Sequence, residues 1–150
     1  MSDTRIRSAD ERRAEIQAHA ARLGIDDELI STLVDTFYAH IRQDPALGPI
    51  FDEAIGDRWD RHLPVMKDFW ASVALNAGRY SGKPVPAHTK LKGVEPEHFD
   101  IWLGLFEQTL KDVTQGPEAV SYFMERATRI ASSLKLAMFG MSGLPPLAKG

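Results

Sequence analysis

The 150-residue chain contains no cysteine. That absence excludes disulfides, iron–sulfur clusters and thiolate-ligated metals. Charge of one sign is also scarce. The 18 Lys and Arg against 21 Asp and Glu leave a formal charge of −3, with no basic field to gather phosphates, so nucleic acid is not an expected partner. No window reaches the run of about 18 apolar residues that a membrane span needs. The first ten residues are polar and charged rather than the apolar run of a secretory signal. Together these give the expectation of a cytoplasmic protein with no membrane partner. Nowhere do apolar and polar residues alternate with period two for long enough to make a strand, and there is no internal repeat. Neither H-E-x-x-H nor closely spaced His and Glu pairs occur, so a catalytic zinc site has little support, and a Gly-rich phosphate loop and a G-x-S-x-G turn are missing as well.

What remains is ordinary globular composition, 43% apolar and 26% charged, in a length that suits one domain. A chain of this size buries roughly 68–70% of its unfolded surface, enough for a real core. Hydrophobic spacing says that the core is helical. Ser8-Ala9-Asp10-Glu11 reads as a capping box, followed by Ile16, Ala20 and Leu23, with Gly24 as the stop. Asp26 or Asp27 then caps a second helix whose apolar positions are Ile30, Leu33, Val34, Phe37, Tyr38 and Ile41, and Asp44-Pro45 ends it. Gly48-Pro49-Ile50-Phe51 reads as a turn that returns an aromatic to the interior. A third helix, capped between Asp57 and Asp60, carries Trp59, His62, Leu63, Met66, Phe69, Trp70, Val73 and Ala77. Its Pro64 falls harmlessly at the edge if the helix begins near Asp60, and otherwise removes an internal bond at about 3 kcal/mol. After a Gly- and Pro-rich break from Gly78 to Pro86, a fourth helix opens with Pro96 and shows Phe99, Trp102, Leu103, Phe106, Leu110 and Val113 on one face. Gly116-Pro117 restarts the chain into a fifth, with Val120, Phe123, Met124, Ala127, Ile130, Leu134 and Met138. The expected organisation is an N-terminal helical extension over 1–24, an all-α domain of four core helices over 25–139, and a flexible tail over 140–150.

Three residues with polar tips fall on inward stripes. Tyr38 lies four after Val34; His62 lies three after Trp59 and four before Met66; Trp102 lies three after Phe99 and four before Phe106. Singly, each fits plain core packing. Three on three different helices suit a pocket that holds an apolar ligand and aims a few donors at it. His88 stands in the irregular segment, where its surroundings fit a solvated loop histidine as well as a presented ligand. His19, His40 and His98 sit on polar faces or beside charges, and solvent exposure is the expectation for all three.

Five separated motifs then occur in order: Phe37-Tyr38; Asp44-Pro-Ala-Leu-Gly-Pro-Ile-Phe51; His62 to Phe69-Trp70; Tyr80-x-Gly-x-Pro-x-x-x-His88; and Phe99-Asp-Ile-Trp102-Leu-x-Leu-Phe106. From Asp26 to Phe139 the chain resembles a truncated haemoglobin. The tandem Phe69-Trp70, Trp102 and a His at the distal position resemble the third group of that family. The resemblance implies a truncated globin-like two-over-two helical sandwich, here with an extra N-terminal helix, around a haem b. The resemblance implies a non-covalent haem, and the lack of cysteine separately rules out attachment through a C-x-x-C-H motif. Carried over by position, His88 is the proximal iron ligand; Tyr38, His62 and Trp102 form the distal pocket; Phe51 packs on the haem near its rim; Met66, Phe69 and Trp70 are wall positions. Arg79 and Lys83 are the expected partners of the propionates.

On that reading, donors aimed at a ligand that gains partial negative charge are each worth about 1.5–3 kcal/mol and slow its release about ten- to a hundredfold. The implied function is tight oxygen binding, with nitric oxide dioxygenase or peroxidase-like chemistry at the bound ligand. The implied partners are oxygen, nitric oxide or peroxide, and a reductase. Two other readings stand beside it: a haem-based sensor that passes ligation to a partner, and a cofactor-free helical interaction module.

Overall fold

The computed structural model describes residues 8–78 and 93–139. Arg79, Lys83, His88 and most of the Gly- and Pro-rich segment lie outside the described residues, as does the tail from Gly140. Among the described residues there are six helices and no strand: α1 (Ala9–Arg22), α2 (Asp27–Gln43), α3 (Leu47–Ile55), α4 (Trp59–Leu75), α5 (Pro96–Val113) and α6 (Pro117–Phe139).

Local chemistry sets most of these boundaries. Glu11 N–H donates to Ser8 Oγ at 3.1 Å while Ser8 N–H donates to Glu11 Oε1 at 2.8 Å, closing the expected capping box. Gly24 stops α1 with φ 81°. Its N–H donates to the Ala21 carbonyl at 3.0 Å and that of Ile25 to Ala20 at 2.9 Å, a Schellman closure that needs the left-handed residue glycine supplies. Asp26 caps α2 by accepting from Leu29 N–H at 2.8 Å.

The segment expected to be a turn at Gly48-Pro49-Ile50-Phe51 is instead helical, lying wholly within α3. Asp44 is the reason. Having ended α2 in an extended conformation, its carboxylate accepts from the N–H groups of Ala46 at 2.9 Å and Leu47 at 2.8 Å, which starts a new helix three residues on. Pro49 is the third residue of α3, where its missing N–H has no intrahelical partner to lose. Gly48 allows the two helices to meet, because a Cβ there would stand 2.7 Å from the Arg42 carbonyl oxygen.

Pro64 is the sixth residue of α4, inside the helix and not at its edge. It deprives the Asp60 carbonyl of its usual donor, and Asp60 is exposed enough for water to serve instead. Ala77, expected on this helix, lies past its left-handed cap, Asn76 (φ 53°).

The α2–α4 pair lies over the α5–α6 pair, with α2 crossing onto α5 and α3 bridging α2 to α5. Between the layers lie Ile30, Leu33, Phe37, Trp70, Phe106, Leu110 and Phe123, all essentially without solvent contact. The N-terminal helix α1 packs on α4. Gln17 Nε2 donates to the Leu75 carbonyl at 3.0 Å, and the Tyr122 hydroxyl of α6 donates to that of Ala74 at 2.7 Å. Exposure holds for His19 but not for His40. Half-buried at the α2–α5 seam, His40 places Nδ1 3.1 Å from Thr109 Oγ1. The Thr109 hydroxyl already donates to the Leu105 carbonyl at 2.8 Å, so it accepts from His40.

Candidate functional site

Two of the three polar tips meet directly. Helix α2 carries Tyr38 inward, 6% exposed, and the first turn of α4 brings His62 against it, with ring centroids 5.4 Å apart at 88°. Phe51 of α3 closes a further side of Tyr38 at 6.1 Å, and Trp59 another at 5.8 Å. Trp102 reaches the group through Phe37, which lies 5.4 Å from Trp102 and 5.2 Å from Tyr38. No hydrogen bond of the Tyr38 hydroxyl is found among the described residues. Burial pushes its phenol well above the ordinary value, so it stays protonated and able to donate.

Beside this cluster opens a cleft between α3, α5 and α6. Leu47, Ile50, Phe51, Phe99, Trp102 and Leu134 line it, with His98 among its few polar contributors. Phe51 and Trp102 belong to both the cleft and the aromatic cluster, so the two adjoin. An apolar wall beside a few polar tips suits a flat, largely apolar cofactor such as haem.

His98 is a residue that the sequence expectation missed. It is half-buried at the cleft, and its Nδ1 accepts from the Glu95 N–H at 2.8 Å. That hydrogen bond caps α5 and leaves the proton of the neutral ring on Nε2. The signal was present as Glu95-Pro96-x-His98, a capping residue, a first-turn proline and an N3 acceptor, but an imidazole in the N3 role is uncommon. Trp59 was legible only as an apolar position. It is in fact buried against both Tyr38 and His62.

The remaining candidate residues divide by burial. Met66 and Phe69 on α4 are half-buried. Trp70 is 2% exposed and stacks on Phe106 at 4.8 Å and 23°. Phe106 in turn stacks on Trp102 at 5.5 Å and 5°. Trp70 therefore backs Trp102 through Phe106, and like Met66 and Phe69 on the same helix it is not among the residues that line the cleft. Arg79, Lys83 and His88 lie outside the described residues. Among the described residues no cluster of three metal-ligating side chains occurs, and no helix is long and apolar enough to cross a membrane.

Helices in this order, enclosing an apolar cleft with aromatic and imidazole tips at its edge, define a small globin. The group 3 truncated haemoglobin ctb of Campylobacter jejuni is 36% identical over 122 residues, covering 79% of this chain and 95% of that protein. A crystal structure of the group III truncated haemoglobin from Campylobacter jejuni superposes with a TM-score of 0.74 at 37% identity, over 79% of this chain and 95% of that one. No family model matches the sequence. The chain belongs to the group 3 truncated haemoglobins, and membership of this family implies a haem cofactor.

Proposed function

We propose that this globin holds haem b non-covalently, binds oxygen tightly and uses it in the detoxification of nitric oxide or peroxide. The observation that carries this reading is the protonated Tyr38 hydroxyl, with no partner for it among the described residues, set edge-on to His62 beside an apolar cleft. His88 would supply an imidazole, a good ligand for haem iron, and a cysteine-free chain offers no thiolate in its place. Phe51, Met66 and Phe69 would wall the cofactor, with Arg79 and Lys83 answering its propionates. When bound, haem b supplies an iron centre that takes a diatomic ligand or a peroxide.

The chain's own residues supply the selectivity. Trp102 can only donate, through its indole N–H. Tyr38 donates because burial keeps its phenol protonated. His62 completes the set at Nε2, which is a buried atom, and in peroxide chemistry it or Tyr38 would pass a proton from one oxygen to the other. Donors around a ligand that gains negative charge retard its release, which disfavours simple carriage and favours reaction in place. Turnover calls for an electron donor, and a reductase is the proposed partner.

The test is an optical spectrum of the purified protein, oxidised and dithionite-reduced, beside a His88→Ala variant. A Soret band that the variant loses or shifts is the expected result. A protein with no Soret band after addition of haemin overturns the reading in favour of a cofactor-free module.

A further inference from the structure

Trp59 has no part in the reading above, yet it touches two of the three distal residues. Its ring lies 5.8 Å from Tyr38 at 61° and 5.6 Å from His62 at 89°. Tyr38 and His62 meet each other at 5.4 Å, so the three rings form a closed triangle of edge-to-face contacts, the arrangement that aromatic quadrupoles favour. Trp59 is 7% exposed, and its Nε1 is buried without a hydrogen-bond partner among the described residues. A buried N–H left unpaired costs about 1–3 kcal/mol. A phenylalanine would fill much of the same space without that cost, so packing alone does not account for an indole here.

The outer face of the ring is held as well. The Arg42 guanidinium stands 4.6 Å over it, and Arg42 Nε lies 3.5 Å from Asp52 Oδ1. A cation is drawn to an indole face more strongly than to any other aromatic face, and the ion pair with α3 keeps the cation in place. Contacts thus run from Asp52 through Arg42 and Trp59 to His62. The backbone beneath His62 offers less restraint than usual, because Pro64 two residues on removes a helical hydrogen bond.

We propose that Trp59, clamped by Arg42, is a positioning residue of the distal pocket that fixes the His62 imidazole against Tyr38. The proposal rests on the haem reading of the same site. It assigns to an outwardly ordinary core tryptophan, and to a half-exposed ion pair, control over where a distal donor points.

The experiment reads the carbon–oxygen stretching band of the reduced holoprotein under carbon monoxide, a reporter of the donors facing the ligand. Wild type, Trp59→Phe, Arg42→Gln and, as the reference for a lost donor, Tyr38→Phe are compared. The expected result is a narrow band in wild type that splits or broadens in Trp59→Phe as His62 samples more than one position. Arg42→Gln gives a weaker version of the same change, which high salt reproduces in wild type because the Arg42–Asp52 pair is half-exposed and screenable. Arg42 is a surface residue, so its variant carries the test if Trp59→Phe does not fold. A band that moves in Tyr38→Phe but is unchanged in Trp59→Phe, or in Arg42→Gln where the former does not fold, overturns the positioning role alone. No Soret band in wild type, or a band that Tyr38→Phe leaves in place, overturns the underlying reading and the positioning role with it.

Discussion

Replacing Tyr38 by phenylalanine isolates one hydroxyl. The ring of Tyr38 is enclosed by Phe37, Phe51, Trp59 and His62 at centroid distances of 5.2, 6.1, 5.8 and 5.4 Å. These are contacts of the ring, which phenylalanine keeps. The hydroxyl has no hydrogen bond among the described residues, so its removal strands no buried partner, the usual source of large losses on such a change. What is left is the effect on a ligand in the pocket. A hydrogen bond to a charged acceptor is worth about 1.5–3 kcal/mol, and about 1.4 kcal/mol corresponds to tenfold in a rate or equilibrium constant. Trp102 and His62 remain in the variant and take up part of the loss, which sets the expectation toward the lower end, with oxygen dissociation about fivefold faster or more. Stopped-flow displacement of oxygen by carbon monoxide measures this directly. An unchanged dissociation rate in a variant of unchanged thermal stability would refute the assignment of Tyr38 as a donor, because packing has been held constant.

The same phenol has a consequence at high pH. Burial raises the folded-state value of Tyr38 above the ordinary 10.0, so above that pH the unfolded chain releases a proton that the folded chain keeps. Folding stability then falls by about 1.4 kcal/mol per pH unit for this group, with no contribution below pH 10. Urea titrations of wild type and Tyr38→Phe over the alkaline range should show the variant's decline to be shallower by one proton's worth. Tyr122, also raised by burial and partly lowered by Arg126, leaves a residual slope in both. Elsewhere, Gly48→Ala drives a methyl to 2.7 Å from the Arg42 carbonyl oxygen. It should destabilise by about 1–3 kcal/mol, a fall of roughly 2–4 °C in Tm for each kcal/mol at this chain length, and calorimetry that shows no fall would mean that the α2–α3 junction is looser than described.

The parts of the fold that were legible in the sequence are those set by local chemistry. The boxes and caps at Ser8, Gly24 and Asp26 act within four or five residues, and the inward stripes of α2, α5 and α6 follow from spacing alone. The turn expected at Gly48 to Phe51 failed for a local reason of another kind. Glycine and proline there are turn residues on average, but Asp44 supplies two hydrogen bonds that begin a helix, and in that frame Pro49 sits where proline is tolerated and Gly48 where only glycine fits. His40 and His98 were misjudged because exposure was read from sequence neighbours. Their partners, Thr109 of α5 and the backbone of Glu95, depend on tertiary contact in one case and on an unusual cap in the other. The site itself was legible as three inward polar tips, but not the way they are held. Spacing says that Tyr38 and His62 face the core; it does not say that they face each other.

That difference bears on how the pocket keeps its shape. Trp102 is one end of a stack through Phe106 to Trp70, with Phe123 closing on Trp70 at 6.2 Å. The ring face of Trp102 therefore rests on rings that belong to the interior of both layers. His62 rests instead on Tyr38 and Trp59, and through Trp59 on a half-exposed ion pair. Trp102 and His62, both donors of the proposed distal pocket, thus differ in what is needed to disturb them. Moving Trp102 means repacking close-packed core rings, at about 1–3 kcal/mol or more. Moving His62 means loosening a surface clamp whose cation–π contact is worth about 0.5–1 kcal/mol at an exposed site. On the proposed reading, Trp102 would be a fixed donor and His62 an adjustable one, so salt or a partner bound near Arg42 and Asp52 would act on His62 well before it acted on Trp102.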